Sequence, residues 1–231
     1  MQAKKEWKEW RPKVDKRVVM SDWKKHFPEL GIVRADTLGR RIGPFLQGVY
    51  VQYGSGMTDY VPSTFLTYLT DELTGGFYLG LHQRLRNFRS ERRYEYWITA
   101  SKHVGESEEA ARALQNDSVL SFNKSIGFNE LVLAHERYLQ TTRSVWALNV
   151  LESLVRFCAW ADRMELGEKF LTEFVGRQRV EVTEGSMTGP EAAEAEAKLR
   201  HWLSNPKLIR DAADAAFSLG RLSKLPVVEI V

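Results

Sequence analysis

The stretch Phe45-Leu46-Gln47-Gly48-Val49-Tyr50-Val51-Gln52-Tyr53 decides the fold class. It is rich in β-branched and aromatic residues, which suit a pleated, half-buried surface, and it runs into Gly54-Ser55-Gly56, a turn sequence. Beyond the turn, Thr58–Leu69 resumes the same character, so the two runs read as an antiparallel hairpin. Pro62 lies inside the second run. Proline cannot donate to a ladder, so it predicts an edge strand or a break there. Outward on the C-terminal side, Gly75-Gly76 punctuates the chain, and Gly76–Arg86 and Arg93–Ala100 read as two further strands. Outward on the N-terminal side the period changes. Trp7, Trp10 and Val14 fall on one helix face, and Ser21 is placed to cap a short helix through Trp23, Phe27 and Leu30 that Gly31 stops.

The remainder of the chain is helical. Ser107-Glu108-Glu109 opens a helix through Leu114, a hydroxyl cap followed by acids that favour the positive helix end. Asn129 begins a longer run. From Trp146 to Ala161 apolar residues cover most of the helix circumference, which marks a central, buried helix. Met164–Val175 continues with Leu166, Phe170 and Phe174 on one face. Thr188-Gly189-Pro190-Glu191 combines a Thr-x-x-Glu capping box with an early proline. Asn205-Pro206 starts another helix, which Gly220 ends, and Val227–Val231 is a β-prone tail able to join the sheet. No second copy of the Leu151–Val175 unit recurs at the spacings of roughly 34 or 40 residues that helical solenoids use.

These signals predict an α+β protein: an N-terminal antiparallel sheet of three to five strands with short lead-in helices, followed by a C-terminal helical half. Charge divides at the same place. Residues 1–103 carry 18 Lys and Arg against 11 Asp and Glu, a net of +7, whereas residues 104–231 carry 15 against 19, a net of −4. A basic, strand-rich region 1–103 and an acidic, helical region 104–231 are therefore expected, as two units or as one compact domain. Opposite charge on the two regions also favours their mutual attraction, within one molecule or across a homodimer.

Composition excludes several classes. Apolar residues are 43% of the chain, with seven Trp and eleven Phe, so disorder is excluded. No run approaches the roughly 18 uninterrupted apolar residues of a membrane span, and the first ten residues, alternating Lys and Glu, lack the apolar segment of a secretory signal. The single cysteine, Cys158, sits in an apolar run and reads as a core residue, and a cytoplasmic location follows as the expectation. Phosphate loops, dinucleotide fingerprints, zinc-protease motifs and serine elbows are absent from the sequence. No two of the five histidines lie three or four residues apart, so neither a metal site nor a cofactor is expected.

Two constellations remain. In Gly80-Leu81-His82-Gln83-Arg84-Leu85-Arg86, strand alternation puts His82, Arg84 and Arg86 on one face. An imidazole beside two guanidinium groups suits metal-independent phosphodiester cleavage: the ring moves a proton while the forks hold the phosphate charge. The second is a basic-aromatic segment, Arg84, Arg86, Arg89, Arg92 and Arg93 followed by Tyr94, Tyr96 and Trp97, which suits nucleic acid, because arginine forks match phosphates and aromatic faces match unstacked bases. A net charge of only +3 argues against a dedicated nucleic-acid binder. The leading expectation is therefore a non-catalytic, macromolecule-binding protein whose partner is another protein, of an inhibitor, immunity or accessory-subunit type. Nucleic-acid binding through residues 84–97 is the alternative, and a metal-independent phosphodiesterase or RNase, with His82, Arg84 and Arg86 as catalytic residues, the second alternative.

Overall fold

The computed structural model describes residues 12–69, 80–89, 94–122, 124–142 and 144–231. The helix expected from Trp7, Trp10 and Val14 lies mostly outside these. Within them, Val14 belongs to no helix, and its N–H donates to the Met57 carbonyl.

The hairpin around residues 54–58 organises the sheet. Strand β3 (Phe45–Tyr53) pairs antiparallel with β4 (Asp59–Tyr68) over its full length, from Phe45 opposite Tyr68 to Tyr53 opposite Tyr60. Gly54 N–H donates to Asp59 O at 3.0 Å, and Met57 takes a positive φ of 55° to close the turn. On the other side of β3 lies β2 (Thr37–Ile42), which also pairs with β1 (Gly31–Arg34). The far edge of β4 is shared end to end by β5 (Leu81–Arg84) and the two-residue β6 (Ile98–Thr99). Strand β8 (Val227–Ile230), the tail, runs parallel to β2, and β7 (Ser125–Ile126) runs parallel to β8. Among the described residues the result is a mixed sheet of eight strands, larger than the three to five expected, in the order β5-β4-β3-β2-β8-β7 with β1 beside β2 and β6 beside β4.

Pro62 corrects an expectation. It sits in the middle of β4, a strand paired on both sides. Its nitrogen faces the place where Leu85 leaves β4 for a side hairpin, so a missing donor costs nothing there, while Leu85 N–H still donates to Pro62 O at 2.9 Å.

Among the described residues there are seven helices: α1 (Lys16–His26), α2 (His103–Asn116), α3 (Phe128–Thr141), α4 (Ser144–Trp160), α5 (Met164–Thr183), α6 (Gly189–Leu203) and α7 (Pro206–Ser218). Asp15, not Ser21, caps α1, its carboxylate accepting from the N–H groups of Arg17 and Val18. Ser21 falls mid-helix because the acid six residues earlier claims the start. Helix α2 likewise begins four residues before Ser107. The capping box at Thr188 and Glu191 forms as the sequence implies.

Three apolar clusters hold the layers together. Helices α3 to α6 pack on Ile42, Phe45 and Leu66 of the sheet, α1 and α2 on Leu38, Val49 and Tyr60, and the end of α7 covers Leu46 and Phe65 on the opposite face. In the first and third of these clusters strands of the first half pack against helices of the second, and Arg41, reaching Asp214 on the α7 face, adds a charge contact between them.

His135, on α3, lies inside the core with no exposed surface, its ring 5.3 Å from that of Phe45 and its Nδ1 2.7 Å from the Leu131 carbonyl. Burial pushes its pKa down to about 4. The unfolded chain takes up this proton near pH 6.5, so stability present above that pH is lost as the pH falls toward 4. At about 1.4 kcal/mol per pH unit the loss reaches roughly 3 kcal/mol. Urea titrations of the wild type and His135→Leu should diverge by that amount across this window, the variant showing the flatter profile.

Candidate functional site

The site forms where β5 meets the end of α3. Gln83 and Leu81 face β4, opposite Thr64 and Leu66. At Leu85 the chain turns away, and a side hairpin forms: Arg86 bridges Glu95, Asn87 N–H donates to Tyr94 O, and Tyr96 N–H donates to Leu85 O. Asn87 starts the turn by accepting the Arg89 N–H on its side-chain oxygen, the local bond that makes Asn a turn residue.

Between this hairpin and α3 lies a cleft of ≈ 350 Å³. Its strand wall is His82, Gln83, Arg84, Arg86 and Glu95, and its helix wall is Tyr138, Thr141 and Thr142. The three residues singled out by alternation, His82, Arg84 and Arg86, thus line one cavity. Arg84 donates to Glu95 Oε1 at 2.6 Å and to Gln52 Oε1 at 2.8 Å. Arg86 makes one long bond, 3.4 Å, to Gln83 Oε1. His82 is half-buried, and its Nδ1 is sealed from solvent with no hydrogen-bond partner among the described residues. Burial, reinforced by the Arg84 charge and opposed by Glu95, lowers its pKa below 6.5, so the ring is neutral at pH 7.

Elsewhere in the described part of the basic-aromatic segment, Arg89 is paired and Tyr96 and Trp97 pack inward. Arg89 donates to Glu106 and Glu109 of α2, both at 2.7 Å, which is the attraction between basic and acidic halves made specific. Tyr96 donates its hydroxyl to Glu106 at 2.9 Å, and Tyr96 and Trp97 pack against the core that contains Trp23 and Leu114. Tyr94 is exposed. Arg92 and Arg93 lie outside the described residues.

One constellation carried no sequence signal. Trp23 Nε1 donates to the Tyr60 hydroxyl at 3.3 Å, that oxygen lies 2.6 Å from His103 Nδ1, and His103 Nε2 lies 3.0 Å from Asp22 Oδ2. Its members are up to 81 residues apart, so no spacing could reveal them. Tyr60 is fully buried and His103 4% exposed, so the chain of bonds ties α1, β4 and α2 together out of reach of a substrate. Lys25 foremost, with His103 beside it, holds the Asp22 carboxyl below its usual range against a smaller burial penalty. Cys158 has no exposed surface and burial pushes its thiol up to about 12, which rules out a reactive thiolate. Among the described residues no three His, Cys, Asp or Glu side chains gather to hold a metal ion, and no helix is long and apolar enough to cross a membrane.

No protein-family model matches this chain, and no curated protein or solved structure is significantly similar to it.

Proposed function

We propose that this chain is a non-catalytic protein-binding protein and that the cleft between β5 and α3 receives an acidic group of its partner. The observation that supports this reading is the charge balance of the cleft. Two guanidinium groups, Arg84 and Arg86, face one carboxylate, Glu95, and the C-terminal end of α3 adds about half a unit of negative charge. The surplus is at most one positive charge. That matches a single carboxylate, whereas a nucleic-acid backbone calls for several unpaired cations. With Arg89 paired and Tyr96 and Trp97 packed inward, these three residues offer little more to a phosphate chain.

The test is site-specific photo-cross-linking in an extract of the native host. With benzoylphenylalanine at Thr142, a discrete protein adduct should form and vanish when Arg86→Glu is added. The same probe at Glu194, on the exposed face of α6, should give none. No adduct at Thr142, or an adduct indifferent to Arg86, would refute the reading.

A second reading, metal-independent phosphodiester cleavage, draws on His82 as a residue of the cleft wall: a neutral imidazole beside Arg84 and Arg86 is the group there suited to accept the proton of an attacking hydroxyl. RNA and DNA hydrolysis in EDTA, wild type against His82→Ala, separates the two. Turnover that disappears in the variant replaces binding with catalysis, and no turnover in either protein removes the enzyme.

A further inference from the structure

We infer that the partner docks as an extended acidic segment that adds a strand to the open edge of β5. The inference rests on the protein-binding reading of the cleft and concerns the backbone of its strand wall.

The hydrogen-bond phase of β5 is fixed by one contact. Leu85 N–H donates to the carbonyl of Pro62, the residue that stands opposite it when the β4–β5 register is continued by one step. Backbone groups alternate in direction along a strand, so those of Leu81 and Gln83 also face β4, and those of His82 and Arg84 face away from the sheet. Strand β5 ends the strand order, and among the described residues no strand pairs with its outer edge. The Arg84 carbonyl already accepts the Gln83 side-chain amide at 3.1 Å. Among the described residues nothing pairs with the His82 N–H, the His82 carbonyl or the Arg84 N–H, two donors and an acceptor spaced for an incoming strand. A row of that kind is a template for strand addition, in which the main chain supplies affinity and the side chains supply choice.

The side chains choose acid. Residues of an added strand stand about 5 Å from their cross-strand neighbours, close enough for opposite charges to attract and like charges to repel. Of the neighbours here, His82 is neutral and Arg84 is engaged by Glu95, the one acid in the cleft, so Arg86, next along the chain, carries the surplus positive charge. A basic segment meets like charge. A second copy of this chain, pairing β5 with β5, gathers four arginines on one short ribbon. An extended segment that places one Glu or Asp beside Arg86 meets complementary charge, and the residues on either side of that acid turn toward Gln83 and Tyr138.

The probe is acetyl-Val-Val-Glu-Val-Val-amide, with the Lys-for-Glu peptide as its counterpart, added to the full-length ¹⁵N-labelled protein. The glutamate peptide should shift and protect from exchange the amides of His82 and Arg84, and the lysine peptide should do neither. The deciding pair is His82→Pro and His82→Ala. Both remove the imidazole, but only proline removes the outward N–H, and it leaves the bonds to β4 intact. Binding should be at least about tenfold weaker in His82→Pro than in His82→Ala, the worth of one hydrogen bond left unmade. If His82→Pro does not fold, amide exchange in the wild type decides. Equal binding by the two peptides, unprotected His82 and Arg84 amides at saturation, or equal affinity of the two variants overturns strand addition. If cross-linking from Thr142 still succeeds, that failure belongs to the docking mode. If it fails as well, the binding reading falls with it.

Discussion

Gly48→Ala is expected to leave no folded protein at ordinary temperature. Gly48 stands opposite Gly39 in the β2–β3 ladder, and a Cβ built on it falls 1.9 Å from the Leu38 carbonyl oxygen and 2.9 Å from the Leu38 carbonyl carbon. Those atoms are backbone of an adjacent strand and have no rotamer by which to withdraw. Relief requires β2 and β3 to separate, and β3 is the strand on which the sheet and the two largest apolar clusters meet. The cost exceeds the range of about 0.5–3 kcal/mol for ordinary substitutions and consumes most of the stability of a domain this size, about 5–15 kcal/mol. Gly176→Ala is the control. It lies inside α5, where an added Cβ meets nothing within 4 Å, so the variant should gain about 0.5–1 kcal/mol from helix propensity. Circular dichroism and urea denaturation of the two variants measure the contrast.

Arg40→Ala is expected to cost about 3–5 kcal/mol, because it leaves buried polar groups without their donor. The side chain is 1% exposed. Its Nε donates to Gln47 Oε1 at 2.8 Å, and its two terminal nitrogens donate to the carbonyls of Phe122 and Ser121 at 3.1 and 3.2 Å. Gln47 in turn donates to the carbonyls of Leu120 and Ser121. The pair pins the loop that leads into β7 and α3, and α3 carries the helix wall of the cleft. Arg40→Lys should recover little, since an ammonium cannot reproduce three directed bonds. Urea midpoints at pH 7 give the stability loss, and cross-linking from Thr142 reports whether the cleft survives in molecules that remain folded.

The α+β class, the 45–69 hairpin, the buried α4, the Thr188 capping box and a tail that joins the sheet were all legible in the sequence. Each is written in local periodicity, propensity or capping chemistry, which depends on residues a few positions apart. The alternation of His82 and Arg84 along β5 is a local rule of the same kind, whereas Arg86 lies beyond the end of that strand and meets them only in the lining of the cleft. Other features depended on partners distant in sequence. Pro62 forbids a ladder bond wherever it sits, yet only the departure of Leu85 makes the middle of β4 a place where no bond is needed. Arg84 and Arg89 look like free cations until Glu95, Glu106 and Glu109 are brought beside them. His103 has no neighbour of interest along the chain, and its bonds to Tyr60 and Asp22 arise because α1 and α2 pack over β4. Charge pairing, burial and the open edge of β5 are properties of surfaces that meet in space. The sequence by itself determined the α+β class and those elements whose periodicity and caps are local. Tertiary packing decided which side chains are already satisfied and which backbone groups still face outward.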